Sequence, residues 1–417
     1  MKAIRTILAV IACFIIAIGI FSVIGYELYF RHAEPVLPEQ QTMQEEPEKT
    51  EPEETEEPEE PEEPAEPEQS AEELRARELV TDLTLEQKVY QMFFVTPESL
   101  TGVDAATRAG DATKEALLEN PVGGLLYSDK NIEDEDQLKE LLSGSQTFLK
   151  EGEQIPAFLA IDEEGGDNAP VADALGTSSF DPMADIGAAG DESAAYAMGQ
   201  SIGKDLSALG FNVNFAPVAD LAGNDVIGSR AFSDNGETAA AMVGNVVKGT
   251  QESKVLNAVT HFPGLGSIND VAHIERTKLE KSLDDMKAAD LLPFRAAIEN
   301  EVGFIIVSHS IMTSVDDQRP CSMSAGVMTM LRDELGFRGI ILSDSMDIPA
   351  ITDRYDPDDA ALNAVTAGAD MVLCPSNLNE AVKAIVEAVE EGELEESRID
   401  ESVVRILTAK LKLGLIS

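Results

Sequence analysis

The chain has 417 residues, room for two or three average domains or for one large barrel with attachments. Its 78 acidic against 30 basic side chains give a formal charge of −48, which excludes nucleic acid and anionic lipid headgroups as main partners. Three cysteines without a C-x-x-C pair exclude a disulfide scaffold, and with only four histidines neither a zinc site nor another cofactor is expected.

Residues 7–25, ILAVIACFIIAIGIFSVIG, run without a charge, long enough to cross a bilayer core of roughly 30 Å as a helix. Lys2 and Arg5 precede this run and acidic residues follow it. The positive-inside rule then leaves the N-terminus in the cytoplasm and everything after about Tyr26 outside. Two other readings stay open: lipidation at Cys13, from the Val10-Ile11-Ala12-Cys13 box, and a cleaved signal peptide. Residues 1–33 are thus expected to be a membrane anchor. Residues 34–69 follow with sixteen Glu, one Lys and no aromatic side chain. Proline fixes extended backbone there and the glutamates repel one another, so a stretched, disordered tether is expected.

From residue 70 onward, short β-branched or aromatic runs alternate with longer amphipathic stretches. The runs are 91–96, 123–128, 157–162, 212–217, 257–262, 304–309, 340–344 and 371–375, and helical spacing marks Ala194 to Leu209, Leu283 to Glu299 and Asn379 to Glu391. Eight such alternations predict an α/β fold, a single TIM-like (β/α)8 barrel over 70–417. The competing doubly wound sheet needs a glycine-rich phosphate loop, and GLGS at 264–267 is not followed by the helix start which that loop requires.

Polar residues end several of these runs. Asp162, His261, His309 and Asp344 each stand at or beside the last position of a predicted strand. In a barrel of this kind the C-terminal strand ends form one face, so residues scattered along the chain converge there. One such residue is an ordinary cap or loop contact; four together point to a site worked by carboxylates and imidazoles. Cys321 and Cys374 fall in or near the same face and are expected as buried free thiols rather than a disulfide.

The stretch His261-Phe262-Pro263-Gly264, with His273 twelve residues after His261, resembles glycoside hydrolase family 3. So do LRDELGFRGIILSDSMDI (331–348) and AVTAGADMVLCP (364–375). Upstream, IDEEGG (161–166), FDPMADIGAA (180–189), ALGFNVNFAPVADL (208–221) and VIGSRAF (226–232) fall in that family's order, and the resemblance spans nearly all of 75–417. It is to the family's single-domain bacterial β-N-acetylglucosaminidases. The resemblance implies that Asp344 is the nucleophile and that His273, on the loop after the fifth strand, is the general acid/base. It further implies that Asp162, Arg230 and His261 hold the sugar, and His309, from its place at the end of its run, is expected beside them as a substrate contact. A retaining mechanism of this type needs the two catalytic groups about 5 Å apart, and an imidazole with a reference pKa near 6.5 suits proton exchange in both steps.

The sequence departs from the family pattern K-H-F-P-G-H-G-x4-D-S-H. Thr260 replaces the Lys, Leu265 the second His, and Val271-Ala272 the Asp-Ser before His273. The carboxylate partner of the acid/base His is therefore missing, with Asp270 one residue earlier as a candidate replacement. Glu163 stands for a Gln, Asp167 for an Arg and Ser229 for an Asp. Two functions follow from this pattern: a tethered, extracytoplasmic exo-glycosidase acting on terminal β-linked N-acetylglucosamine in wall fragments or glycans, or a catalytically impaired relative that binds sugar. In either case the expected partner is carbohydrate and the expected state a monomer.

Overall fold

The computed structural model describes residues 69–268 and 277–417. The predicted anchor (7–25), Cys13 and the tether up to residue 68 lie outside the described residues, as do Asp270 and His273. Among the described residues no helix is long and apolar enough to cross a membrane.

Among the described residues ten strands occur in chain order. They are β1 (Phe93–Val95), β2 (Gly124–Leu126), β3 (Phe158–Ile161), β4 (Val213–Asn214), β5 (Leu256–Phe262), β6 (Lys278–Leu279), β7 (Phe304–Val307), β8 (Ile311–Met312), β9 (Ile340–Ser345) and β10 (Met371–Leu373). Eight of them close a parallel barrel in the order β1-β10-β9-β7-β5-β4-β3-β2, and each of the eight lies inside or within one residue of a run predicted from the sequence. Parallel strands covered on the outside by helices are buried on both faces, which explains why the runs read as near-continuous apolar segments rather than alternating ones.

Phenylalanines fill the barrel interior. The rings of Phe158 and Phe304 meet edge-on at 5.1 Å, and that of Phe94 lies 5.3 Å from Phe215 and 6.3 Å from Phe158. Gly124 makes room for this layer, because a Cβ there would lie 2.4 Å from the Phe94 ring. Outside the barrel, the helices Glu192–Leu209 and Gly236–Gln251 cross so closely that a Cβ on Gly199 would lie 2.3 Å from the Val246 carbonyl oxygen.

Two features differ from the sequence expectation. The helix expected over 283–299 is two helices, Leu283–Ala288 and Leu292–Glu299. Pro293 has no N–H to bond the carbonyl four residues back and its ring would clash there, so the first helix ends ahead of it and Pro293 sits in the first turn of the second, where its missing N–H costs nothing. A second sheet, β6 paired parallel to β8, lies outside the barrel and ties residue 278 to the segment after β7.

The N-terminal end of the barrel is held by charge. Asp370, just before β10, is fully buried and accepts from Arg332, from Arg405 at 2.9 Å, from Ser402 at 2.8 Å and from the Ile341 N–H at 2.8 Å. Arg398 stands at 4.0 Å from the same carboxylate. Nearby, the buried Lys410 on the last helix donates to Gln91 at 2.7 Å and stacks over the Phe158 ring at 4.9 Å. Charges at this end of a barrel act on stability rather than on chemistry.

Candidate active site

The opposite, C-terminal end gathers the functional side chains. Asp162 follows the last residue of β3, half-buried at the barrel mouth. Burial pushes its pKa up to about 7; Glu164 and Asp344 add to that rise, while Arg230 and His261 oppose it. These four neighbours come from β3, β4, β5 and β9 or the loops after them, so strand ends far apart in sequence share one electrostatic field.

The loop after β3 is locked in two places. Glu163 N–H donates to Asn214 Oδ1 at 3.0 Å and its carbonyl accepts from Asn214 Nδ2 at 2.9 Å, joining the ends of β3 and β4. The buried Glu163 carboxylate accepts the N–H groups of Val171 at 2.7 Å and Ala172 at 3.1 Å, closing the first turn of the helix Pro170–Leu175. Burial outweighs those two bonds and raises its pKa to about 7. Glu164 then holds Arg230 in a two-pronged pair, Nε to Oε2 at 2.9 Å and Nη2 to Oε1 at 2.7 Å. Farther out, Ser229 Oγ donates to Asp167 Oδ2 at 2.9 Å, so two of the residues that depart from the family pattern bond to each other.

His261 lies within β5. Its Nδ1 is 2.6 Å from Oδ2 of Asp220, a carboxylate 1 % exposed whose Oδ1 accepts the Leu265 N–H at 2.7 Å. Burial lowers the His261 pKa, but the charge of and hydrogen bond to Asp220, with the charge of Asp344, outweigh it and leave the pKa raised. Among the described residues Nε2 has no protein partner. Asp344, near the end of β9, is half-exposed and accepts the Ser345 N–H at 2.8 Å.

His309 requires a correction. It was expected to touch substrate, yet it is 3 % exposed, with Nδ1 2.7 Å from Ser322 Oγ and Nε2 2.9 Å from the Ser345 carbonyl oxygen. A carbonyl only accepts, so Nε2 carries the proton and, in the neutral ring, Nδ1 accepts from the Ser322 hydroxyl. Protein thus takes both nitrogens, and His309 braces the end of β9 beside Asp344. Cys321 and Cys374 are both buried and free, and burial pushes each thiol up to about 12, which leaves neither a reactive thiolate at neutral pH.

Sequence reasoning did not single out Asp220 or Glu164. Both stand inside motifs that were recognised, a few residues past a strand end, but a carboxylate whose partner lies 41 or 66 positions away leaves no local pattern. The acid/base assignment to His273, and Asp270 as its partner, fall outside the described residues.

Residues 84–409 match the Glycosyl hydrolase family 3 N terminal domain. Among curated proteins, a beta-hexosaminidase A of Pseudoalteromonas piscicida is 30 % identical over 338 residues, covering 74 % of this chain and 56 % of its own length. A beta-hexosaminidase of Stenotrophomonas maltophilia is 28 % identical over 295 residues, 69 % of this chain and 86 % of its own. Among solved structures, a family 3 beta-N-acetylglucosaminidase from a Paenibacillus species superposes with a TM-score of 0.74 at 31 % identity, covering 80 % of this chain and 63 % of that one. A beta-N-acetylhexosaminidase from Beutenbergia cavernae superposes with a TM-score of 0.68 at 26 % identity, covering 79 % of this chain and 99 % of that one. The chain spans little more than half of the Pseudoalteromonas protein.

Proposed function

The chain belongs to glycosyl hydrolase family 3, and on that premise we propose that it is a retaining exo-glycosidase releasing terminal β-linked N-acetylglucosamine or a closely related sugar. The observation that carries this reading is the meeting of Asp162, Glu164, Arg230, His261 and Asp344 at the C-terminal mouth of the barrel. Carboxylates, a guanidinium and an imidazole around an open mouth suit a neutral polyol, whose hydroxyls both donate and accept.

In the proposed reaction an Asp344 carboxylate oxygen attacks the anomeric carbon while the glycosidic C–O bond breaks. His273 gives its proton to the departing oxygen. Water then attacks the same carbon, returns a proton to His273, and the ester to Asp344 breaks. His309 serves this scheme indirectly, by fixing the carbonyl of Ser345 next to the nucleophile. Asp220 holds the His261 ring so that Nε2 is the nitrogen left for sugar.

A second reading has a specific basis. Val271 and Ala272 stand where the family pattern has the Asp-Ser before its acid/base histidine, and the carboxylate–imidazole pair among the described residues belongs to His261 instead. On that reading the chain binds sugar without turning it over. Hydrolysis of an aryl β-N-acetylglucosaminide decides between them: turnover that Asp344→Asn abolishes supports the enzyme, while binding of N-acetylglucosamine with no turnover supports the second reading. The apolar run at 7–25 and the acidic tether support placing the barrel outside the membrane. A reporter fused after residue 69 that is active only in the cytoplasm would contradict that placement.

A further inference from the structure

Two loops wall the mouth beside Asp162. The first, 162–191, carries eight acidic side chains and no Lys or Arg; the second, 215–235, carries three acids and a single cation, Arg230. That cation is already balanced, because both prongs of its guanidinium are taken by the buried Glu164. Beyond this pair stands Asp167, exposed, with Ser229 donating to one of its oxygens. The hydroxyl is neutral, so it positions the carboxylate and leaves its charge in place. Asp181, Asp185 and Asp225 are exposed on the same two loops.

A terminal sugar held between Asp162 and Asp344 would leave the unit it is attached to on the solvent side of the mouth, where the loops after the strands stand. Loops that carry one sign of charge repel a like-charged group near them and attract an opposite one, and the effect fades with salt once separations exceed a Debye length of about 8 Å. We propose that the wall around Asp167 selects the leaving group by charge, accepting neutral or cationic amino-sugar units over units that carry a carboxylate. Asp167 is then a specificity-determining residue. The proposal rests on the glycosidase reading above and narrows its substrate class.

The test uses the full chain and three β-1,4-linked disaccharides, each with a non-reducing N-acetylglucosamine and a reducing unit that is N-acetylglucosamine, glucosamine or N-acetylmuramic acid. At about 20 mM salt the muramic substrate is expected to show kcat/KM about tenfold below the neutral one, and at about 500 mM the gap should narrow to about twofold. Asp167→Asn should narrow the low-salt gap and Asp167→Arg should narrow it further or reverse it. Equal rates at low salt, a gap that salt does not change, or a gap untouched by either variant would overturn the proposal. If no disaccharide is cleaved, the glycosidase reading fails by itself. Calorimetric affinities for the three sugars then decide the present proposal: a salt-sensitive preference against the muramic unit supports it and a flat or reversed order refutes it.

Discussion

Oδ2 of Asp220 lies 2.6 Å from Nδ1 of His261 while Oδ1 of the same carboxylate accepts the Leu265 N–H. One buried side chain thereby fixes the imidazole and the backbone four residues beyond it, binding the loop after β4 to the start of the loop that leads toward His273. A carboxylate in this position sets the ring's tautomer, stabilises its charged form and holds its orientation.

Asp220→Asn removes the two causes that raise the His261 pKa most and leaves burial acting against the charge. The imidazole pKa should then fall below its ordinary value of about 6.5. The pair's contribution to stability is fully present below that ordinary value and is lost as the pH rises through the raised folded value. The variant should therefore be destabilised by about 1–3 kcal/mol in mild acid and by less in mild alkali. A proton NMR titration of the ring, with urea melts on both sides of neutrality, checks both expectations; an unchanged ring pKa would show that the contact carries no charge.

Asp162 gives a pH dependence of the same sign over a window that opens at lower pH. Burial raises its pKa from 3.8 to about 7, so relative to the unfolded chain the carboxyl supplies stability that is full below about pH 4 and is lost as the pH climbs through 7. Asn at this position has no charge to bury. The stability difference between Asp162→Asn and the wild type should consequently shift in favour of the variant by roughly 2–3 kcal/mol between about pH 5 and pH 8, while sugar affinity falls. Denaturant midpoints at the two pH values measure the shift, and a difference that does not vary with pH would mean that the carboxyl ionises in the folded state as it does in water.

The barrel was legible in the sequence because each strand of a parallel closed sheet is buried on both faces and so stands out as a short apolar run. Asp162, His261 and Asp344 were legible for the complementary reason: a polar residue ending such a run has lost the apolar surroundings that the run requires. The same signal misled at His309, whose two partners, Ser322 and Ser345, lie on segments that only the closed barrel brings to it. The pair of Lys278–Leu279 with Ile311–Met312 is too short to show any period. Asp220 and Glu164 are buried with ion partners 41 and 66 positions away, which no local pattern of hydropathy records.

Asp370 separates stability from chemistry. It faces Arg332, Arg398 and Arg405 at the end of the barrel away from Asp344, and those guanidiniums hold its carboxyl below the usual range despite complete burial. Asp370→Ala leaves three cations facing one another and should cost about 3–5 kcal/mol of stability. At low temperature the folded fraction should retain the turnover or sugar affinity of the wild type. A loss of function larger than the loss of folded protein would show that this end of the barrel reaches the mouth.

Asp344 carries the chemistry in the proposed mechanism, and its test reads a bond rather than a rate alone. Its side chain is half-exposed, and one oxygen is held by the Ser345 N–H, which leaves the other to approach an anomeric carbon. Asp344→Asn keeps the shape and that acceptor but cannot form the ester, so turnover should fall by at least about 10⁴ while sugar affinity and fold persist. A 2-deoxy-2-fluoro sugar with a good leaving group, fluorine standing in place of the 2-acetamido group, should accumulate on the wild type, because fluorine withdraws electrons from the charge-deficient transition state of the second step. Digestion and mass spectrometry should then find the sugar on the peptide containing Asp344. His273→Ala should slow substrates with poor leaving groups far more than activated aryl ones, whose departing oxygen needs little protonation. An adduct on another residue, or hydrolysis that survives Asp344→Asn, would remove Asp344 from the nucleophile's role even with the barrel and the sugar pocket intact.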